Sequence, residues 1–232
     1  MLTSVAPDPS DAARAAAARA AAELVQPGTA IGLGSGRAVW AVTELLGERR
    51  LEGLRVAVAS SRTDELARAA GLDVVELDGS LRLDLAIDGA DEVDPALGLL
   101  KGGGGALLRE KIVVAAAKRF VVVAETSKQV ERLGSTRGIP VEVVRFGWQA
   151  TRARLLELVE SAELRRGDDG EPYMTDEGHY ILDCAPEQAG EMADLATSVK
   201  AIPGVVEHGL FLTEANVVLL GTPDGGVERL ER

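Results

Sequence analysis

Between Thr29 and Ala124, short apolar runs alternate with helical patterns, and this alternation constrains the fold more than any other property of the chain. Residues 30–33, 54–59, 73–77, 83–87 and 120–124 read as strands, and residues 38–46, 62–70 and 106–118 as helices. Strands joined through helices run mostly parallel, with helices covering both faces of the sheet. A ligand crevice then opens at the carboxyl ends of the strands. Three loops occupy such ends: the glycine turn at Gly34, the segment from Asp88, and residues 126–128. The texture changes near Pro140. Residues 141–144 and 180–183 read as strands, and 149–160 and 187–201 as helices, a βαββα-like unit that implies a smaller α+β domain. The apolar runs at 209–212 and 217–220 are expected to return to the large sheet.

The densest chemistry lies in residues 88–111, DGADEVDPALGLLKGGGGALLREK. Four consecutive glycines are costly, because each loses more backbone freedom on folding than any other residue. Such a run marks a close approach of backbone to something, and Lys101 before it with Glu110 after it suits a small polar substrate. Glu110 shares a helix face with Leu107 and Val114. Apolar neighbours desolvate a carboxylate and raise its pKa toward the range of a general base. Asp88 and Asp91 sit where an apolar strand ends, in a turn that Gly89 permits. Two close acids split their pKa values, so that one donates a proton and the other accepts one. An aspartate-rich loop also suits a magnesium ion, although Lys101 opposes one, and an Asx turn accounts for either acid taken singly.

Composition narrows the partners. The 232 residues suffice for one large domain or a large one with a small one. A formal net charge of −12 and an aromatic content of 3% argue against nucleic acid, which needs a basic face and stacking rings. An anionic small molecule requires positive charge concentrated locally. Cys184 is alone, so it forms no intrachain disulfide, and with His179 and His208 it makes no recognisable metal cluster. The alanine-rich stretch over residues 11–25, capped by Ser10 and interrupted by Arg14, Arg19 and Glu23, reads as an amphipathic helix and not as a signal peptide. No run is long and apolar enough to span a membrane, so the expectation is a soluble, cytoplasmic protein with no membrane partner.

Five of the 25 basic residues are lysines, and four of those, Lys101, Lys111, Lys118 and Lys128, fall within 28 positions. Lys101 and Lys128 stand at loops after strands; Lys111 and Lys118 read as solvated helix positions. The GLGSGRA segment, residues 32–38, follows a strand and opens a helix, and its amides would cradle a phosphate. It fails the dinucleotide fingerprint, because the third glycine position is Arg37 and no acid ends the next strand. A monophosphate suits it better than NAD, with a plain tight turn as the alternative. Ser61, Arg62 and Thr63 offer further hydroxyl contacts or, for Ser61, a helix cap.

Together GLGSG (32–36), SSRT (60–63), DGADEVD (88–94), KGGGGALLREKI (101–112), SKQVERLG (127–134), PVEV (140–143) and GTPDG (221–225) make the chain resemble the type A ribose-5-phosphate isomerases, in family order from about residue 25 onward. The resemblance implies an α/β fold: a Rossmann-like, mostly parallel sheet domain (1–138 plus 205–232) with a smaller α+β, ferredoxin-like domain (139–204). It implies reversible interconversion of ribose 5-phosphate and ribulose 5-phosphate through a cis-enediolate, in the non-oxidative branch of the pentose phosphate pathway. No metal, no organic cofactor, and a homodimer or homotetramer are implied as well. By position Glu110 would move the proton between C1 and C2. Asp88 would assist ring opening and proton transfer at the sugar oxygens, with Asp91 in support and Gly89 and Ala90 in the same substrate loop. Lys101 would stabilise the enediolate, and Gly102, Gly103 and Gly104 would let amides approach its oxygens. Lys128 with Ser35, Gly36, Arg37 and Ala38 would hold the phosphate. The family loop usually reads GTGST or GSGST. Here Arg37 and Ala38 replace two hydroxyls, and Arg37 is expected to substitute a bidentate contact, with Arg14 also reaching the phosphate. An isomerase of another aldose phosphate and a sugar-phosphate-binding regulatory domain are the rival readings. The acidic charge and the complete set Asp88, Lys101 and Glu110 disfavour the second.

Overall fold

The computed structural model describes residues 9–187 and 190–232. Helix α1 (Pro9–Glu23) leads into strand β1 (Ala30–Leu33), helix α2 (Arg37–Arg49), strand β2 (Arg55–Val58), helix α3 (Ser61–Ala69) and strands β3 (Asp73–Val74) and β4 (Leu85–Gly89). The short strands β5 (Glu92–Val93) and β6 (Leu99–Leu100) precede helix α4 (Leu107–Ala115), strand β7 (Phe120–Glu125) and a single 3-10 turn at Thr126–Lys128. Next come β8 (Ile139–Val143), α5 (Trp148–Leu155), β9 (Val159–Leu164), β10 (Tyr180–Pro186), α6 (Met192–Lys200) and β11 (Val205–His208). The chain closes with β12 (Leu210–Phe211), β13 (Val217–Gly221) and β14 (Val227–Glu231).

The large sheet has the order β14-β13-β7-β4-β1-β2-β3, and every pairing is parallel except that of β14 with β13. From β1 the chain moves outward through β2 and β3, then returns to β4 on the other side of β1. The strand order reverses there, so the carboxyl ends of β1 and β4 flank the crevice. Burial on both faces explains the unbroken apolar runs. Along β7, Val121 and Val123 pack with α1 and α2, while Phe120, Val122 and Ala124 pack on the opposite face with Val113 and Val114 of α4. The alanines of α1 let that helix lie close to the sheet: a Cβ on Gly221 would come within 1.8 Å of the Ala13 carbonyl oxygen.

The smaller sheet has the antiparallel order β11-β8-β10-β9, built from a βαββαβ succession, which is the ferredoxin-like arrangement. Its core holds Val141, Val143, Leu155, Leu182 and the free Cys184, whose thiol burial pushes up to about 12. Three expectations change here. The helix expected over 149–160 ends at Leu155, and β9 follows it as an edge strand whose exposed Glu160 and Glu163 imitate a solvated helix face. The helix expected over 187–201 begins at Met192, with residues 188 and 189 of that span outside the described ones. Finally, residues 205–208 pair with β8 in the smaller sheet, and Leu210–Phe211 joins β6 and β5 in a separate three-stranded sheet. The return to the large sheet comes at β13.

Candidate active site

Asp88 is the fourth residue of β4, at the reversal of strand order. Its Oδ1 accepts from the amides of Ser35 (3.1 Å) and Gly89 (2.7 Å), which ties the ends of β1 and β4 together. This closeness needs a glycine after β1, since a Cβ on Gly34 would come within 1.8 Å of the Asp88 carboxyl carbon. Lys101 enters from the end of β6, anchored by its amide to the Gly209 carbonyl at 2.8 Å. Its Nζ donates to the Gly89 carbonyl (2.7 Å) and stands 2.8 Å from Asp88 Oδ2 and 3.1 Å from Glu110 Oε2. Glu110 projects from the first turn of α4. Asp88, Lys101 and Glu110 are 1%, 3% and 5% exposed, so an acid–lysine–acid cluster is held almost out of water. Asp88 Oδ2 and Glu110 Oε2 face the ammonium as ion pairs without well-angled hydrogen bonds, leaving lone-pair directions free.

Burial pushes Glu110 up to about 8, the Asp88 charge adds to the rise, and Lys101 opposes it. Burial raises Asp88 too, against the pull of Lys101 and of the two amides. Burial works against the charge of Lys101, but Asp88 and Glu110 outweigh it and hold the ammonium above its ordinary value. A lysine that stays charged beside a carboxyl poised near neutrality is an acid–base centre with a built-in counter-charge.

The remaining acids of DGADEVD serve as braces. Asp91 accepts from the Gly103 amide (2.7 Å) and pairs with Arg137 (2.5 Å), so it sets the glycine turn and does not touch Lys101. Glu92, fully buried, accepts from the amides of Gly134 (2.6 Å) and Thr136 (2.7 Å) and so positions the loop that carries Arg137. Asp94 closes its own turn through the amides of Ala96 and Gly98.

A cavity of about 400 Å³ opens over this cluster, and it takes in all the expected loops. Ser35, Gly36, Arg37 and Ala38 line one end, with Lys128; Gly89, Ala90, Asp91, Lys101, Glu110 and Gly102 to Gly104 line the other. Gly36 caps α2 without a side-chain hydrogen bond, leaving the first-turn amides directed at the cavity as an anion site. Arg37 is exposed at the rim, and Lys128 is half-buried. Arg14 reaches the wall with its guanidinium held by Asp11 (2.6 Å) and Glu125 (2.8 Å). In a chain of net charge −12, five basic side chains (Arg14, Arg37, Lys101, Lys128 and Arg137) gather on one cavity.

Two sequence readings are corrected. The SSRT hydroxyls brace the loop from behind: Thr63 donates to the Gly34 carbonyl (2.8 Å), Ser60 donates to Ser35 (3.0 Å), and Ser60, not Ser61, caps α3. Lys111 is not a solvated position. It is mostly buried, donating to the carbonyls of His208 (2.8 Å) and Leu210 (3.0 Å) and pairing with Glu207 (3.0 Å), which locks α4 against β11. Sequence reasoning also missed Arg137, Trp40 and Glu125 at the cavity; an arginine in an aperiodic loop carries no pattern that marks it.

An anion cradle and a buried acid–lysine–acid cluster at the switch point of an α/β sheet define an acid–base enzyme of small phosphorylated substrates. Comparison with known proteins sharpens that class. The family profile of ribose 5-phosphate isomerase A (phosphoriboisomerase A) matches residues 56–225. A ribose-5-phosphate isomerase A of Synechococcus sp. (strain JA-3-3Ab) is 48% identical over 219 residues, 93% of this chain and 95% of that one. The ribose 5-phosphate isomerase A structure from Methanocaldococcus jannaschii superposes with a TM-score of 0.89 at 34% identity, covering 96% of this chain and 99% of the other. A D-ribose-5-phosphate isomerase in complex with phospho-erythronic acid superposes at 0.90 and 33% identity, covering 96% and 99%. The chain belongs to the ribose 5-phosphate isomerase A family.

Proposed function

We propose that this chain interconverts D-ribose 5-phosphate and D-ribulose 5-phosphate, with Glu110 as the base that carries the proton between C2 and C1. In the aldose-to-ketose direction the Glu110 carboxylate removes the C2 proton of the open-chain sugar. The electron pair moves toward O1, giving a cis-enediolate, and Glu110 returns the proton to C1 while the O2 proton is transferred to O1 by way of Asp88. The carboxylate is regenerated, so protons balance over the cycle. Lys101 stands where negative charge develops on O1 and O2, and its contribution is largest in the transition state. Asp88 exchanges protons at the sugar oxygens and assists ring opening. Asp91 supports it by holding the glycine turn, whose amides approach the same oxygens. The phosphate lies at the other end of the cavity, in the loop of residues 35–38, on the amides of Gly36, Arg37 and Ala38, with Lys128 and the Arg37 side chain.

The observation that carries this reading is the placement of Lys101 Nζ 2.8 Å from Asp88 and 3.1 Å from Glu110, all three out of water, with Lys101 and Glu110 lining the cavity and Asp88 directly behind the ammonium. A relative that holds phospho-erythronic acid, a four-carbon acid phosphate resembling the enediolate, fits the same chemistry. The reading extends to a cytoplasmic homodimer or homotetramer acting in the pentose phosphate pathway, and to two structural units of which the smaller begins near residue 139. The test is ribulose 5-phosphate formation with chelator present. Wild type should turn over, and Glu110→Gln should lose about a thousandfold or more in kcat, at the upper part of a general base's usual contribution. A mutant within tenfold of wild type assigns the base elsewhere.

A further inference from the structure

The four-glycine turn cannot hold its own shape, since glycine has no preferred backbone region. Gly102 and Gly105 take φ of +101° and +83°, and the turn closes through the Gly105 amide on the Gly102 carbonyl at 3.0 Å. From the cavity side Asp91 holds it, accepting from the Gly103 amide. From the outside it is held by the smaller sheet. Arg165, which follows β9, donates through Nη1 to the carbonyls of Gly102 (2.7 Å) and Gly103 (3.2 Å). Tyr173, in the loop before β10, donates its hydroxyl to the Gly104 carbonyl at 3.0 Å. The guanidinium is fixed by a two-point pair with Asp183, and it lies 6.0 Å from the centre of the Tyr173 ring. The ring in turn leaves no room for a side chain at residue 105: a Cβ there would meet the phenol oxygen at 2.3 Å.

A trans peptide directs its carbonyl and its following amide to opposite sides. Holding the Gly103 carbonyl outward therefore directs the Gly104 amide inward, and that amide donates to no described residue on a turn that lines the cavity. The geometry points to Arg165 and Tyr173 as positioning residues for isomerisation: from the smaller sheet they clamp the glycine turn so that the Gly104 amide is aimed at the enediolate oxygens. The inference rests on the isomerase reading above, and it makes the smaller sheet a working part of the active site. Neither residue lines the cavity, so each would act through the glycine turn.

The clamp should act on the transition state more than on ground-state binding. Tyr173→Phe keeps the ring against Gly105 and removes one hydrogen bond, and kcat should fall about three- to tenfold. Arg165→Met frees two carbonyls and should lower kcat about ten- to a hundredfold, the scale of a displaced reacting group. Arg165→Lys should recover part of that loss. In each case KM for ribose 5-phosphate should stay within about twofold, while the inhibition constant of phospho-erythronic acid rises in proportion to the lost kcat. Thermal unfolding of Tyr173→Phe should coincide with that of wild type. Normal kcat in Tyr173→Phe and Arg165→Met, measured alongside an active wild type and an inactive Glu110→Gln, overturns the clamp and leaves the isomerase reading intact. A parallel rise in KM with unchanged inhibitor binding also overturns it. An inactive wild type instead breaks the reading on which the clamp rests.

Discussion

The two ends of the cavity are built on opposite principles. At the chemical end, three charged side chains are withdrawn from water and face one another across ion-pair distances, their positions fixed by strand ends and by a helix turn. At the end proposed for the phosphate, the first turn of α2 has no side-chain cap on its amides, while Arg37 stands exposed and Lys128 is half-buried. The difference follows from what each end must do. Charge that develops during a reaction is stabilised best by groups already oriented and desolvated, because nothing need reorganise at that moment. A phosphate arrives fully charged, so its site can stay solvated and exchange water for ligand. Substitutions at the first end should therefore change kcat, pH dependence and stability together, and those at the second should change KM alone.

Lys101→Met probes the buried end most severely. It leaves Asp88 and Glu110 without their counter-charge, and breaking a buried pair from one side costs about 3–5 kcal/mol. Activity should fall about 10²- to 10³-fold in kcat, as when an oxyanion donor is lost. The destabilisation should depend on pH. Without the ammonium both carboxyls move further above their unfolded values. Their protonation then favours the folded state at low pH, and that stability is lost as pH rises through the window from the unfolded carboxylate value upward. Denaturant unfolding at pH 5 and pH 8 should show the larger loss at pH 8. An equal loss at both would mean that the cluster is not the electrostatic unit its geometry describes.

The pH–rate profile sharpens the contrast next. With Glu110 near 8, kcat/KM should decline as pH falls below that value, because the base becomes protonated. Asp88→Asn removes the like charge beside Glu110, the second cause of its rise after burial. The acid limb of the residual activity should then move to lower pH, while Arg37→Ala leaves it in place. Since the two carboxyls face the same ammonium, the limb in wild type reports the pair and not one residue. A limb that stays put in Asp88→Asn would mean that burial alone sets the base.

How much of this was legible in the sequence follows the same division between backbone order and side-chain packing. The parallel strands were readable because burial on both faces makes them continuous apolar runs, and Asp88, Lys101 and Glu110 announced themselves through four adjacent glycines. The edge strand β9 was not, because an edge carries charges on its open side and VESAEL reads equally as helix. Lys111 was misread for a related reason: a long side chain on a helix looks solvated until the partner strand, here β11 with Glu207 and His208, is known to lie against it. Asp91 and Glu92 sit in one acidic motif with Asp88, and their separate tasks are set by loops from residues 103 and 134–137 that no local pattern connects to them.

The smallest expected effect is at Arg37, which tests the exposed end directly. The loop here has Arg37 and Ala38 where the sequence resemblance implies two hydroxyls, and on the proposed reading the amides of residues 36–38 remain to bind the phosphate. If the guanidinium turns inward to the phosphate, it does so from an exposed position, where an ion pair is worth about 0.2–1 kcal/mol. Arg37→Ala should accordingly raise KM for ribose 5-phosphate about two- to fivefold, with kcat unchanged, and the difference should shrink at high salt as screening removes the contribution of the charge. Arg37→Lys should retain part of the affinity, since the charge stays but the planar fork is lost. A KM unchanged in Arg37→Ala at low salt would assign phosphate binding to the backbone amides and Lys128, and would make the arginine a neutral replacement for the missing hydroxyls.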